Sequence, residues 1–120
     1  MASTLVYDLG TTYFKVSLFD DAGKIKGFVR TRAPVQHPQT DRWEMPVEDF
    51  FGCLIEATAG VAGQVGGLGD VENVTYATQA NSFALLDLQD QPLTPLIMWP
   101  DSRARGVRLP SQEHDRHRER

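Results

Sequence analysis

The spacing of apolar residues changes from a period of two to a helical period and back along the chain. Leu5 to Tyr7 and Tyr13 to Phe19 are rich in β-branched and aromatic residues, and Val16 and Leu18 alternate with Lys15 and Ser17. A period of two belongs to a strand with one buried face, so both stretches read as strands of one sheet. Asp20-Asp21-Ala22-Gly23-Lys24 is a turn signal, with acids that fold back on their own backbone and a glycine able to take positive φ. A third strand, Ile25 to Arg32, then pairs antiparallel with the second.

From Ala33 to Met45 the chain has Pro34, Pro38, Trp43 and several polar residues with no period of either kind, which predicts an extended surface connection anchored by Trp43. Pro46 suits the first position of a helix, and Glu48 and Asp49 suit its positive end. Val47, Phe50, Phe51, Leu54, Ile55, Thr58, Val61, Ala62 and Val65 repeat as its core-facing stripe. Gly63, Gly66, Gly67 and Gly69 end that helix; without a following Lys-Ser/Thr they do not make a Walker-type phosphate loop. Val71 to Thr78 reads as a fourth strand, parallel to a neighbour because a helical crossover leads to it. Ser82 to Leu88 and Leu96 to Trp99 read as a further hairpin around Gln89-Asp90-Gln91-Pro92. After Asp101 the pattern stops, and the charged segment beyond Ala104 has little with which to build a core, so residues 105–120 are expected to be a disordered tail.

With 120 residues the chain is one domain or a piece of one, small for a two-substrate enzyme. A hydrophobic fraction of 41% and a charged fraction of 23% are ordinary for a globular protein and exclude collagen-like and low-complexity classes. No apolar run approaches the length of a membrane span, and no basic segment leads into an apolar one at the start, so a cytoplasmic setting is the default expectation. The lone Cys53 reads as a small core residue on the helix. The formal charge of -4 conceals an asymmetry, because Arg103, Arg105, Arg108, Arg116, Arg118 and Arg120 crowd the end. No aromatic platform accompanies them, so they do not make a nucleic-acid module. His114 and His117 have helical spacing for a metal site, but no third and fourth ligands are in view and a solvated tail is the simpler reading.

The chemistry concentrates in Asp8-Leu9-Gly10-Thr11-Thr12, between the first two strands. A glycine turn lets backbone approach a ligand without a Cβ in the way and offers N–H groups to an anion, with two hydroxyls beside it. Asp8 would repel a phosphate unless a cation lies between them, which suggests Mg²⁺ bridging carboxylate to phosphate, often through water. Lys15 adds positive charge for a polyphosphate. The plain alternative is a hairpin that needs Asp, Gly and Thr as turn formers with no ligand at all.

Asp8-x-Gly10-Thr11-Thr12-x-x-Lys15, followed by strand, Gly23 turn and strand, resembles the first phosphate motif of the FGGY carbohydrate kinases, members of the actin-like ATPase superfamily. "DRWEMPVEDFF" resembles the Gly-Trp-x-Glu-x-x-Pro lead into that family's first helix. "VTYATQANSFALLDLQDQPL" resembles its strand, sugar loop and Leu-Asp hairpin, and "PLIMWPDSRA" is similar to its Pro-x-Ile-x-Trp-x-Asp-x-Arg-Ala signature. The motifs stand in register from Leu5 to Ala104.

The resemblance implies an α/β fold, the ribonuclease H-like N-terminal domain of an actin-like ATPase, with a mixed and incomplete sheet over residues 1–104. It implies ATP-dependent phosphorylation of a sugar or polyol, with Asp8 near Mg²⁺ and Gly10, Thr11, Thr12 and Lys15 around the phosphates. Gln79, Ala80 and Asn81 fall on the loop that touches the sugar in relatives, and Trp99 and Asp101 on a second loop lining that cleft. Where xylulokinases tend to have Met-His and glycerol kinases Arg-Glu, this chain has Ala80-Asn81, so the sugar is open. Trp43 and Trp99 are equally read as core aromatics, Asp101 as the cap of a following helix, and Arg103 as the partner of an acid.

Family members are several times longer, and their general base, an Asp, comes from a motif of the second domain that has no match here. The expectation is therefore an N-terminal part of a sugar kinase, inactive alone, whose incomplete apolar face favours self-association. The alternatives are a non-catalytic sugar-binding or interaction module of the same fold, and another branch of actin-like ATPases.

Overall fold

A computed structural model describes residues 2–107. The arginine-rich end, with His114 and His117, lies outside the described residues. Five of the expected elements are present. Strands β1 (Ser3–Leu9), β2 (Tyr13–Phe19) and β3 (Ile25–Arg32) form an antiparallel meander, and β6 (Val71–Thr78) lies parallel to β1 at the other edge, giving the order β3-β2-β1-β6. Helix α1 (Val47–Val65) supplies the crossover that a parallel β1–β6 pair requires. It packs on β2 and β3.

The alternation seen in β2 sorts the sheet into two faces. Leu5, Val16 and Leu18 point at Ala57 and Val61 of α1, and together they form one buried cluster. The helix approaches closely because Gly60 has no side chain: a Cβ there would lie 3.0 Å from Val29 Cγ2. Gln64 reaches from the helix to edge strand β3, where its Oε1 accepts the Phe28 N–H at 2.7 Å and its Nε2 donates to the Phe28 carbonyl at 2.8 Å. The backbone groups of Phe28 on that edge are thereby satisfied without a further strand. Burial, with the nearby Glu56 and Asp49 carboxylates, pushes the Cys53 thiol pKa up, which suits the small, half-buried helix residue expected from the sequence.

Three expectations need correction. The stretch Ala33 to Met45 is no featureless connection: β4 (Gln36–Gln39) and β5 (Arg42–Met45) form a short antiparallel hairpin. It shows no alternation because β4 is exposed on both sides, and Pro38 is tolerated because an edge strand has N–H groups without ladder partners. Trp43 does anchor it, stacking on His37 with ring centroids 3.9 Å apart and packing into the second core cluster. The helix stripe is also narrower than predicted. Ile55 is 68% exposed and Phe51 is exposed as well, while Ala57, absent from the predicted stripe, is buried. The reason is that α1 covers only part of the sheet, leaving Val74 and Tyr76 of β6 uncovered as well. Finally, the antiparallel hairpin from Ser82 to Trp99 forms around the expected turn but is irregular. Its arms meet at the isolated bridges Phe83–Ile97 and Leu86–Pro92 instead of along a continuous ladder, and β7 (Leu96–Ile97) pairs with β5 in a separate sheet of order β4-β5-β7. Pro92 and Pro95 lack the N–H groups a continuous ladder needs. The turn itself lies where expected, with Asp87 Oδ1 accepting the N–H groups of Gln89 and Gln91.

A second buried cluster, Leu9, Phe14, Ala33, Met45 and Met98, lies at the opposite end of the β1–β2 pair from the first. Phe14 meets Phe50 of α1 edge to face at 5.5 Å. This cluster carries the surface described next.

Candidate functional site

Strand alternation decides which residues reach the surface at the end of β1. Leu9 and Phe14 are paired and point into the second cluster, so the neighbouring pair Asp8 and Lys15 points away from it. Lys15 Nζ lies 3.7 Å from Asp8 Oδ2, with both side chains about half exposed. An ion pair this open to water adds at most about 1 kcal/mol to stability. The hairpin between them closes through the Gly10 N–H, which donates to the Tyr13 carbonyl at 3.1 Å, leaving Thr11 and Thr12 at the tip. A Cβ on Gly10 would sit 3.0 Å from that same carbonyl oxygen, so only glycine fits this turn without adjustment. The Thr12 carbonyl accepts the Ala33 N–H and ties the tip to the end of β3.

The second group of predicted residues follows β6. Gln79 is half-buried and its Oε1 accepts the Ser82 hydroxyl at 2.9 Å. Ala80 and Asn81 are exposed between them, and Asn81 holds φ 62°, a left-handed conformation that asparagine adopts more readily than most residues. Beneath this loop is a cavity of about 160 Å³ lined by Leu9, Phe50, Thr78, Gln79, Ser82 and Met98, among others.

Trp99 joins the two groups. Its backbone N–H donates to Ser82 Oγ at 3.1 Å, and its indole Nε1–H donates to Thr11 Oγ1 at 3.2 Å. Thr11, Trp99, Ser82 and Gln79 are thus joined by hydrogen bonds, whereas Asp8 and Lys15 point to the other face of the β1–β2 pair.

Asp101 faces the other way. Its side chain is only 3% exposed. Oδ2 accepts the Trp43 N–H at 2.9 Å and Arg103 Nη2 at 2.7 Å, while Oδ1 accepts the Arg103 backbone N–H and Nε. Arg103 Nη2 also donates to Glu44 Oε2 at 2.7 Å. The hydrogen bonds from Arg103 and Trp43 hold the Asp101 carboxyl well below the usual carboxylate range, against the effect of burial, and the two acids raise the Arg103 pKa. The expected capping is of a turn at residues 103–106; no helix follows among the described residues. The carboxylate therefore fastens the turn that carries Trp99 to β5. Sequence reasoning left Ser82 and Glu44 out of the site. Ser82 had a local signal, three residues after Gln79 in a turn; Glu44 stands in the motif that leads into α1, but nothing local joins it to Arg103, 59 residues away.

Among the described residues no three His, Cys, Asp or Glu side chains converge as a ready-made metal cage, and no helix is long and apolar enough to cross a membrane.

Comparison with known proteins gives a consistent answer. The profile described as "FGGY family of carbohydrate kinases, N-terminal domain" matches residues 3–118, running past the Ala104 boundary drawn from the sequence. A gluconokinase from Bacillus subtilis is 29% identical over 99 residues, covering 82% of this chain and 19% of its own. A xylulose kinase from the same organism is 30% identical over 97 residues, covering 80% of this chain and 19% of its own. The crystal structure of a gluconate kinase from Lactobacillus acidophilus superposes with a TM-score of 0.81 at 22% identity, over 97% of this chain and 23% of that one. The mixed sheet and helix α1 thus have the fold of the N-terminal part of an actin-like ATPase, and the chain spans about a fifth of the length of the relatives it matches.

Proposed function

The chain belongs to the FGGY family of carbohydrate kinases, and from that premise we propose that it is the N-terminal portion of an ATP-dependent kinase that phosphorylates a hydroxyl of a sugar or polyol. The observation that supports the reading is the 3.2 Å hydrogen bond from Trp99 to Thr11, which joins the turn at Trp99, and through Ser82 the loop after β6, to the tip of the β1–β2 hairpin.

In this reading the Gly10 turn admits a phosphoryl group close to backbone, the Thr11 and Thr12 hydroxyls donate to its oxygens, and Lys15 contributes charge. The residues fit a magnesium nucleotide: the turn is tight for any Cβ, hydroxyl donors flank it, and Asp8 presents a half-exposed carboxylate of the kind that binds Mg²⁺ through water. When bound, the cation would neutralise charge on the transferred phosphoryl. Gln79 has its oxygen committed to Ser82, so it offers its amide N–H groups to a sugar hydroxyl. Ala80 leaves space beside Asn81, whose side chain sets which hydroxyl pattern is accepted. Asp101 acts through the turn it fixes, orienting Trp99, since both of its oxygens are engaged within the protein.

The chain alone is expected to be inactive, because phosphoryl transfer also needs a base and exclusion of water that this surface does not supply. ATP consumption across polyols, pentoses and hexonates, with Asp8→Ala as control, tests this. No turnover fits a partial site; turnover abolished by Asp8→Ala would mean that a whole site assembles, and would overturn the reading of a partial one. Saturable sugar binding with no response to nucleotide would favour the alternative, a non-catalytic binding module. A chemistry that consumes ATP goes with a cytoplasmic setting. The uncovered Ile55, Val74 and Tyr76 support self-association of the isolated chain, which a strictly monomeric sedimentation profile would refute.

A further inference from the structure

The two halves of the proposed site are joined by an unbroken path of hydrogen bonds. Gln79 Oε1 accepts from the Ser82 hydroxyl, Ser82 Oγ accepts from the Trp99 backbone, and the Trp99 indole donates to Thr11. The last bond joins residues 88 apart in sequence. An indole N–H can only donate, so Thr11 Oγ1 must accept, which leaves its own proton free to donate to a second partner. Trp99 is 57% exposed, so packing alone does not fix the ring, and the bond is the contact that holds it against the phosphate turn. Anything that orders the ring from the sugar-loop side raises the population of the bonded state, and anything that orders the Thr11 hydroxyl from the phosphate side does the same.

We infer that Trp99 is a positioning residue whose indole N–H couples the two half-sites, so that a sugar at the loop Gln79 to Ser82 and a polyphosphate at the hairpin Asp8 to Lys15 each tighten binding of the other. The inference rests on the kinase reading above and adds the means by which sugar and nucleotide sense each other. Coupling between ligands is reciprocal, and for one bond at a half-exposed position the expected factor is about fivefold in each direction. The two hydroxyl-bearing side chains make separable contributions: Ser82 fixes the backbone of Trp99, whereas Thr11 fixes its ring.

The test is a pair of NMR titrations of the full ¹⁵N-labelled chain, with D-gluconate or D-xylulose in the absence and presence of magnesium tripolyphosphate, read at the Trp99 indole cross-peak and at the amides of Gln79 and Gly10. Trp43 provides a second indole as an internal reference. The native chain should bind the sugar about fivefold more tightly when tripolyphosphate is present, and Thr11→Ser should keep most of that factor. In Trp99→Phe and Thr11→Val the factor should fall to one, whatever happens to either separate affinity, and the double variant should be no different from the singles. A role limited to supporting the loop would change the affinities and leave their ratio intact. Persistence of the coupling in Trp99→Phe overturns the inference, as does binding of both ligands to the native chain with no coupling. If neither ligand binds, the chain holds no working half-sites and the inference is overturned, while its place in the FGGY family stands.

Discussion

At the start of β1, Leu5 packs with Val16 and Leu18 beneath Ala57 and Val61 of a single helix; at its end, Leu9 and Phe14 meet Ala33, Met45 and Met98, contributed by three further stretches of chain. The first cluster is closed once one hairpin and one helix have formed. The second waits on contacts between residues as far apart as Leu9 and Met98, whose ordering costs more chain entropy. The candidate site stands on the second cluster. Its geometry therefore depends on the less locally determined half of the core, and the loop after β6 should open at lower free energy than the sheet beneath α1.

The largest expected effect comes from removing the residue at the centre of the site-side cluster. Phe14 is fully buried, pairs across to Leu9 and touches Phe50. Phe14→Ala should cost about 3–5 kcal/mol, read as a drop in the urea midpoint. Amide exchange should accelerate first at Met98 and Trp43, before the amides of Val16 and Val29. Uniform acceleration everywhere would show that the two clusters are one cooperative unit and would remove the distinction.

A smaller effect, confined to the site side, is expected from acid. The Asp101 carboxyl is held below its ordinary range chiefly by the Arg103 hydrogen bonds, helped by the Trp43 N–H, so its folded pKa lies beneath the unfolded value of about 3.9. A depressed folded pKa gives stability that is fully present above the unfolded pKa and is lost as pH falls toward the folded one. Stability should therefore be flat in this respect from about pH 7 down to about pH 5 and decline below about pH 4, with faster exchange at the Trp43 amide. Arg103→Met should flatten that acid-dependent loss while lowering stability at neutral pH, because Glu44 and Asp101 then lose their shared partner. An unchanged acid profile in Arg103→Met would remove the Asp101 assignment.

The same contrast explains what could be read from sequence. β2 and β3 were legible because Lys15, Val16, Ser17 and Leu18 alternate and the Gly23 turn follows, and α1 was legible from Pro46 and its apolar repeat. Ile55 and Phe51 were misread as core because periodicity marks an apolar face without saying whether anything covers it. The β4–β5 hairpin was missed because both faces of β4 are exposed, so no alternation was imposed on its residues. For the site, short motifs placed Asp8 at the end of a strand and Gly10, Thr11 and Gln79 on the turns and loops that follow strands, since turn chemistry is local. The direction of Asp101 was not legible, because it is decided by Trp43 and Glu44, residues more than fifty positions away whose approach depends on the β5–β7 pairing.

Tyr7 offers the finest probe, since it packs against both clusters. Its hydroxyl lies 2.7 Å from Thr58 Oγ1, and Thr58 donates its own proton to the Leu54 carbonyl at 2.7 Å. Thr58 has one proton, so Tyr7 must be the donor. Tyr7→Phe removes that donor but leaves Thr58 bonded to Leu54, so no polar group is stranded and the cost should be about 0.5–1.5 kcal/mol. Thr58→Val instead leaves the tyrosine hydroxyl without its acceptor while keeping the β-branched shape, and should cost at least as much. If the joint transmits order between clusters, Tyr7→Phe should also narrow the difference in amide exchange between Met98 and Val16, because the sheet side loses support that the site side never had. A cost with no change in that difference would mean that the tyrosine ring, by its packing alone, links the two halves, and that the hydrogen bond to α1 only adds local stability.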